Sequence, residues 1–223
     1  MNTELLEAAL EAEGYALVPA AVSPLEAQRL RALFQDDAAF RKTIQMERHG
    51  YGRGVYRYFS YPLPAAVQNL REQLYAALAP IANEWSRRLG SRDVYPKTLS
   101  EMIQRCADAN QLRPTPLLLT YESGDYNALH QDVYGSVSFP FQATLLLSRP
   151  NDEFTGGEFV LYESRARRQS VARVVPLSFG DAVIFPNAHR PNAKGARSQF
   201  RHGVSVVRSG RRTTLGVILH DAQ

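Results

Sequence analysis

From Pro116 onward the sequence breaks into short runs rich in Val, Leu, Phe and Thr, and turn-forming clusters separate these runs. Runs of this length and spacing predict the strands of a closed or double-sheet β core. The predicted strands are Leu117–Tyr121, Phe141–Leu147, Glu158–Tyr162, Val171–Val175, Ala182–Phe185, His202–Val207 and Arg212–Leu219. The second half of the chain is therefore expected to form the β core of the protein.

The first half of the chain carries helical signals instead. Ser23 and Pro24 form an N-cap followed by a first-turn proline, and an apolar stripe then runs to about Phe34. Further helices are predicted over Glu4–Ala12, Pro64–Leu89 and Leu99–Ala109, with a short strand over Tyr15–Pro19. We predict an α+β fold in one domain, residues 1–223, with a helical part over about 1–113 and a β core over about 114–221.

Composition narrows the class of protein. The hydrophobic fraction of 44% is ordinary for a globular chain, and the apolar runs are far too short to span a bilayer. The acidic start MNTELLEAAL lacks the basic-then-apolar order of a signal peptide. Cys106 is the single cysteine, so no internal disulfide can form, and it is expected to be a buried small residue. These features predict a cytoplasmic protein without a membrane partner.

Charge is unevenly distributed along the chain. Residues 1–40 carry a balance of −5 and residues 165–212 a balance of +10, whereas the whole chain carries only +4. The basic segment could attract an anionic partner, nucleic acid included. A solvated basic face with one arginine used for a co-substrate explains it equally well, because no nucleic-acid module signature accompanies the arginines. The oligomeric state is left open.

Two histidines and one aspartate are spaced for a metal site. His130 and Asp132 are separated by one residue, and His202 lies ten residues before Arg212. Two imidazoles and one carboxylate can occupy one face of an octahedral Fe(II) ion and leave the opposite face open. Arginine offers a planar fork that pairs with a carboxylate. We therefore predict an iron oxygenase that binds Fe(II) through these three ligands and a 2-oxo acid through Arg212.

Two other histidines, His189 and His220, compete for the role of third ligand. His189 lies in a loop-like Pro-Asn-Ala-His-Arg-Pro stretch and has Gln199 ten residues later. His220 is nearly terminal and no arginine follows it, and His49 lies far from any strand signal and is expected to be exposed. His202 is therefore the preferred third ligand.

Two hydroxyl side chains are expected beside the co-substrate. The Ser-Gly pair at 209–210 predicts a tight hairpin turn that would place Arg212 across from Val207. Thr214 has the same strand parity as Arg212, so both side chains should lie on one face of the sheet. Tyr121 ends the strand that precedes the first ligand. We predict that Tyr121 and Thr214 contact the co-substrate, with ordinary interior hydroxyls as the alternative.

Four segments resemble the Fe(II)/2-oxoglutarate dioxygenase superfamily. They are Tyr121-x8-His130-Gln-Asp132, Thr155-Gly-Gly-Glu-Phe159, Phe179-Gly-Asp-Ala-Val-Ile-Phe185, and the stretch from Arg201-His-Gly-Val-Ser through Arg212-x-Thr-Leu-Gly. Within it, the chain resembles a bacterial 2-oxoglutarate–Fe(II) oxygenase family that is related to prolyl hydroxylases and described as acting on damaged, methylated DNA. The resemblance implies a double-stranded β-helix (jelly-roll) core. It also implies hydroxylation of a substrate C–H bond with Fe(II), O2 and 2-oxoglutarate, releasing succinate and CO2.

The substrate is less constrained than the reaction. A stretch that mixes aromatics and cations could stack a base and hold phosphate; its members are Tyr51, Arg53, Tyr56, Arg57 and Tyr58. Arg53, Tyr56 and Tyr134 are the predicted substrate contacts. Oxidative demethylation of alkylated nucleic acid is one alternative, and hydroxylation of a prolyl or other peptide residue is another. A jelly-roll module that binds metal without turnover is a third.

Overall fold

The computed structural model describes residues 1–165, 167–192 and 195–223. Four α-helices lie in the first half of the chain: α1 (Thr3–Glu13), α2 (Pro24–Ala32), α3 (Ala65–Arg88) and α4 (Leu99–Asp108). Four strands also lie there: β1 (Ala16–Val18), β2 (Phe40–Gln45), β3 (Gly52–Arg53) and β4 (Val55–Phe59). Short 3-10 turns cover Leu33–Gln35, Asp37–Ala39 and Met46–His49. In the described residues, no helix combines the length and apolarity needed to cross a membrane.

The second half is built from strands. In chain order these are β5 (Leu117–Tyr121), β6 (Tyr126–His130), β7 (Phe141–Leu146), β8 (Phe154–Gly156), β9 (Phe159–Ser164), β10 (Val171–Val175), β11 (Ala182–Pro186), β12 (His189–Pro191), β13 (Arg197–Val204), β14 (Val207–Gly210) and β15 (Arg212–Ile218). The predicted helices and strands are all present, most with ends that shift by one or two residues, but the strand predicted over His202–Val207 runs from Arg197 to Val204. The predicted α+β class is confirmed.

Two antiparallel sheets form the core. The larger sheet has seven strands in the order β1-β11-β7-β15-β5-β4-β2, and the smaller has the order β10-β9-β13-β6-β3. Many neighbouring strands, such as β15 and β5 or β13 and β6, are far apart in the sequence, as expected of a jelly-roll core that folds back on itself. Helix α3 packs on the larger sheet, where Trp85 contacts Phe141 with ring centroids 4.5 Å apart.

Side-chain alternation along β15 assigns its residues to two environments. Leu215 and Val217 belong to the apolar core that the helices share with the sheet. Arg212, Thr214 and Gly216 line a cavity on the opposite face. Alternate residues of β15 therefore pack in the core beneath the helices, and the residues between them face the cavity.

Two features differ from the sequence-based expectations. Residues 40–59 lie in the part of the chain predicted to be helical, yet they contain β2, β3 and β4. Strand β2 is a polar, mostly exposed edge strand, so its hydrophobic alternation is weak. The hairpin expected at 209–210 is wrong: β14 pairs with β8, and Arg212 on β15 pairs with Tyr121 on β5. A turn motif in the sequence cannot show that the two flanking strands belong to different sheets.

Candidate metal centre and its cavity

The two predicted histidine ligands meet as a cross-strand pair. His130 is the last residue of β6, and His202 on the antiparallel strand β13 lies directly opposite it. Directly opposed residues have side chains on the same face, so the two imidazoles lie side by side with centroids 4.2 Å apart. The pairing of β6 with β13 thus joins residues that are 72 positions apart in the chain.

Asp132 follows β6 and completes the cluster. Its Oδ2 lies 3.2 Å from Nε2 of His202, and its Oδ1 lies 3.6 Å from Nε2 of His130. One ligand atom from each of the three side chains lies within 4.8 Å of the others. Two ligands at right angles, each ~2.1 Å from an ion, are ~3 Å apart. The spacing therefore fits three facial ligands of one metal ion.

Local contacts prepare these side chains for metal binding. Nδ1 of His130 donates to the carbonyl oxygen of Ala128 at 2.7 Å, which leaves Nε2 facing Asp132. Burial lowers the pKa of His202 and so favours the neutral imidazole that ligates metal. Burial would raise the pKa of Asp132, but its hydrogen bond with His202 and the nearby imidazoles lower the pKa and hold the carboxyl ionised. The set is two imidazoles and one carboxylate.

Arg212 lies on the opposite sheet, in the wall of the same cavity. Its side chain is 1% exposed, and its Nε and Nη1 have no hydrogen-bond partner among the described residues. The guanidinium carbon lies 5.6 Å from the ring centroid of Tyr121, its cross-strand neighbour. Burial lowers the pKa of Arg212 to about 10, which still leaves it charged at neutral pH. Burying a cation with unpaired N–H groups costs free energy, and an anion that binds there would offset that cost.

Two glycines make room for this arginine and its neighbour. A Cβ on Gly157 would lie 2.9 Å from Cδ of Arg212, and a Cβ on Gly54 would lie 2.9 Å from Cδ1 of Tyr121. Gly157 also has φ +62°, in the left-handed region that favours glycine. The Gly-Gly pair in the Thr155–Phe159 segment thus lets the backbone approach the arginine stem closely.

Tyr121 and Thr214 lie where the sequence suggested. Both line the cavity with Arg212, which confirms the shared parity of Arg212 and Thr214 on β15. Burial raises the pKa of Tyr121 to about 12, so its phenol stays protonated and can donate to a carboxylate. Asn127, which sequence reasoning missed, donates to the Tyr121 hydroxyl at 3.2 Å.

The cavity has a volume of about 550 Å³ and is lined by Arg212 and by the three predicted ligands. Tyr56 and Tyr134, two of the predicted substrate contacts, lie in its wall, but Arg53 does not. Arg53 is exposed and forms an ion pair with Glu47 at 2.7 Å. Arg57 is also outside the wall, because it bonds to Asp37 and covers the ring of Phe40.

Two tyrosines of the wall are linked by hydrogen bonds to the carboxylate of the cluster, a contact that the sequence did not predict. Tyr134 donates to Oδ1 of Asp132 at 2.5 Å, and Tyr58 donates to the Tyr134 hydroxyl at 3.1 Å. Arg41, Lys42 and Arg113 also line the cavity. The Tyr56/Tyr58 alternation on β4 could have indicated that Tyr58 shares a face with Tyr56. The three cations are distant in sequence or lie on the polar edge strand, so no local pattern groups them.

The competing histidines lie apart from the cluster. His220 is buried and accepts from the backbone N–H of Phe139 through Nδ1. His189 pairs with Gln199 across β12 and β13. His49 is exposed, as expected, and stacks on Tyr51 with centroids 5.3 Å apart at the cavity wall.

Comparison with known proteins places the chain in a family. Residues 54–222 match the profile of the Oxygenase-NA family, described as an oxygenase catalysing oxidative methylation of damaged DNA. The uncharacterized protein Rv2227 of Mycobacterium tuberculosis is 41% identical over 167 residues, which are 74% of this chain and 72% of that protein. A protein from another strain of the same species matches equally.

Solved structures share the fold at low sequence identity. A 2OG-Fe(II) oxygenase family oxidoreductase from Burkholderia pseudomallei aligns with a TM-score of 0.57 and 18% identity, over 100% of this chain and 93% of that one. A Pseudomonas putida prolyl-4-hydroxylase aligns with a TM-score of 0.56 and 16% identity, over 96% of both chains. The chain therefore belongs to the Oxygenase-NA family of oxygenases and has the fold of 2-oxoglutarate–Fe(II) oxygenases.

Proposed function

We propose that this oxygenase binds Fe(II) through His130, Asp132 and His202, and 2-oxoglutarate through Arg212 with help from Tyr121 and Thr214. The observation that carries the proposal is the buried, unpaired guanidinium of Arg212 in the cavity that also holds the three ligands. When bound, Fe(II) supplies activation of O2 coupled to decarboxylation of 2-oxoglutarate, so that a substrate C–H bond is hydroxylated and succinate and CO2 are released.

The protein's own residues position and shield these groups. Phe185 and Phe159 pack against His202 with ring centroids 4.7 and 6.1 Å away, which keeps that ligand dry and fixes its ring plane. Tyr121 offers a protonated phenol beside Arg212, so one carboxylate could accept from both. We also propose that the whole chain forms one catalytic domain and works in the reducing cytoplasm, where its buried Cys106 stays free.

Turnover of the co-substrate tests the reaction. We expect the wild-type chain to form succinate from 2-oxoglutarate only when Fe(II) and O2 are both present. His202→Ala should abolish this succinate, whereas His189→Ala, which removes an imidazole outside the cluster, should leave it largely intact. If no succinate forms across a broad panel of nucleic acids, peptides and small molecules, the chain is a metal-binding module without turnover.

We propose nucleic acid as the substrate class. The stacked rings of His49 and Tyr51 stand at the cavity wall and offer a flat surface for a base. Arg41, Lys42 and Arg113 line the same cavity, and in the described part of the chain none of them pairs with an acidic side chain. Cations that lack an acidic partner, beside an aromatic stack, suit a base with its phosphate, in agreement with the description of the family.

Salt dependence tests this assignment. We expect binding to single-stranded DNA to weaken as salt rises, and Lys42→Ala to reduce the slope of log K against log salt by about 0.7, one phosphate contact. Lys97→Ala, which removes an exposed lysine away from the cavity, is the matched control and should leave the slope unchanged. Absence of DNA binding at low salt would favour the alternative, a prolyl or other peptide substrate, which the prolyl hydroxylase fold also permits.

A glycine substitution tests the placement of Arg212. Gly157→Ala should destabilise the protein by roughly 1–3 kcal/mol and weaken 2-oxoglutarate binding, because the new methyl meets both a left-handed backbone and the arginine stem. Gly90→Ala is the control, since Gly90 has φ +63° and no atom within 4 Å of an added Cβ. Urea denaturation and calorimetric 2-oxoglutarate titration would separate the effects. Equal co-substrate affinity in the two variants would show that Arg212 does not depend on Gly157.

A further inference from the structure

We propose that Tyr134, oriented by Tyr58, is a positioning residue that holds Asp132 as a one-oxygen ligand of the metal. This inference rests on the proposed function, because it assumes that Asp132 ligates the ion. It assigns Tyr134 a role different from the substrate contact expected from the sequence.

The direction of the two hydrogen bonds follows from the carboxylate of Asp132, which is the final acceptor. An ionised carboxylate can only accept, so the hydroxyl of Tyr134 must donate to Oδ1 of Asp132. Tyr134 then has lone pairs left for a donor, and the hydroxyl of Tyr58 fills that role at 3.1 Å. The two phenols therefore form a hydrogen-bond relay in which Tyr58 on β4 donates to Tyr134 and Tyr134 donates to Asp132.

The relay is held in place from the cavity wall. The guanidinium of Arg41 covers the ring of Tyr58 at 4.6 Å, and Tyr56 packs edge-on against the same ring with centroids 5.4 Å apart. Tyr58 is 9% exposed, and it packs with Leu117 and Ile218 of the larger sheet. The relay thus ties the carboxylate, which lies in a loop after β6, to a strand of the opposite sheet.

The two oxygens of Asp132 have unequal surroundings. Oδ1 accepts the hydrogen bond of Tyr134 and lies 3.6 Å from Nε2 of His130, whereas Oδ2 lies 3.2 Å from Nε2 of His202. A metal shared with His202 would meet Oδ2, while Tyr134 keeps Oδ1 engaged. Single-oxygen binding would leave more room at the metal for 2-oxoglutarate and O2. Hydrogen bonds that orient a ligand in this way contribute strongly to metal affinity.

The hydroxyl can be removed while the ring stays. We expect Tyr134→Phe to weaken Mn(II) binding by about 10-fold to 100-fold, measured anaerobically from the electron paramagnetic resonance signal of free Mn(II). Tyr58→Phe should give a smaller loss. The double variant should bind no more weakly than Tyr134→Phe alone, because Tyr58 acts through Tyr134. Tyr126→Phe removes an exposed hydroxyl from β6 and should leave the affinity unchanged.

The outcomes separate this inference from the proposed function. If the wild-type chain binds no Mn(II), the metal site itself is wrong, and the inference with it. If the wild type binds and Tyr134→Phe binds equally well, the relay has no positioning role, even if the thermal stability of the metal-free variant falls. Losses that add in the double variant would show that Tyr58 does not act through Tyr134.

Discussion

Replacing Arg212 by methionine is expected to raise the dissociation constant for 2-oxoglutarate by roughly 30-fold to 5,000-fold while the metal stays bound. Loss of one partner of a buried charge pair costs about 2–5 kcal/mol. Arg212 is the buried cation of the cavity wall, and its Nε and Nη1 are unpaired among the described residues. Methionine keeps an unbranched side chain but removes the guanidinium, which lies over the rings of Tyr121 and Phe154, and with it all five N–H donors.

The matched control is the neighbouring arginine. Arg211 is exposed and pairs with Glu122 at 2.6 Å, so Arg211→Met should leave 2-oxoglutarate affinity unchanged. Isothermal titration of 2-oxoglutarate into the Mn(II)-loaded proteins measures both. An Arg212→Met protein that still binds 2-oxoglutarate at the wild-type affinity would mean that another cation holds the co-substrate.

The same substitution is expected to maintain or raise the stability of the protein in the absence of 2-oxoglutarate. Without an anion, Arg212 is a desolvated charge with unmade hydrogen bonds, which costs free energy in the folded state. The free energy of unfolding of Arg212→Met without 2-oxoglutarate should therefore equal or exceed that of the wild type. Urea denaturation with and without 2-oxoglutarate would measure this, and a clear loss of stability in the empty variant would contradict it.

Asp132→Asn is expected to weaken metal binding by at least about 100-fold, more than the loss of a residue that only orients a ligand. The amide has nearly the same shape as the carboxylate but lacks the negative charge that Fe(II) or Mn(II) requires beside two neutral imidazoles. Succinate formation should fall in parallel, because the co-substrate needs the metal.

Asp125→Asn provides the control for this change. Asp125 precedes β6, and its Oδ2 accepts from the N–H of Glu122 at 2.8 Å, a bond that the Asn side-chain oxygen can keep. Circular dichroism would establish that both variants are folded before Mn(II) is titrated. Unchanged Mn(II) affinity in Asp132→Asn would show that other residues bind the metal.

Much of the fold could be predicted because its signals are local. The capping boxes of Ser23 with Glu26 and of Thr98 with Glu101 mark helix starts in the sequence and are present in the structure. Strands buried on both faces, such as β7 and β15, are recognisable from their continuous apolar and β-branched residues. The polar edge strand β2 and the half-exposed β6 lack such runs and were missed.

The sequence by itself determined the chemistry of the site. The side chains of His130, Asp132, His202 and Arg212 carry their ligand and charge properties wherever the chain places them. Their spacing restricts the choice of partners enough to indicate a metal and a carboxylate. These properties belong to individual residues, so they can be predicted without knowing which residues are in contact.

Only the tertiary structure decided how these residues meet. The pairing of His202 with His130, and of Arg212 with Tyr121, depends on β13 joining one sheet and β15 the other. The bond from Tyr134 to Asp132 and the unpaired state of Arg212 depend on the same arrangement. Strand order is set by burial of the whole core rather than by any short segment, because each strand must satisfy its hydrogen bonds and cover its apolar face at once.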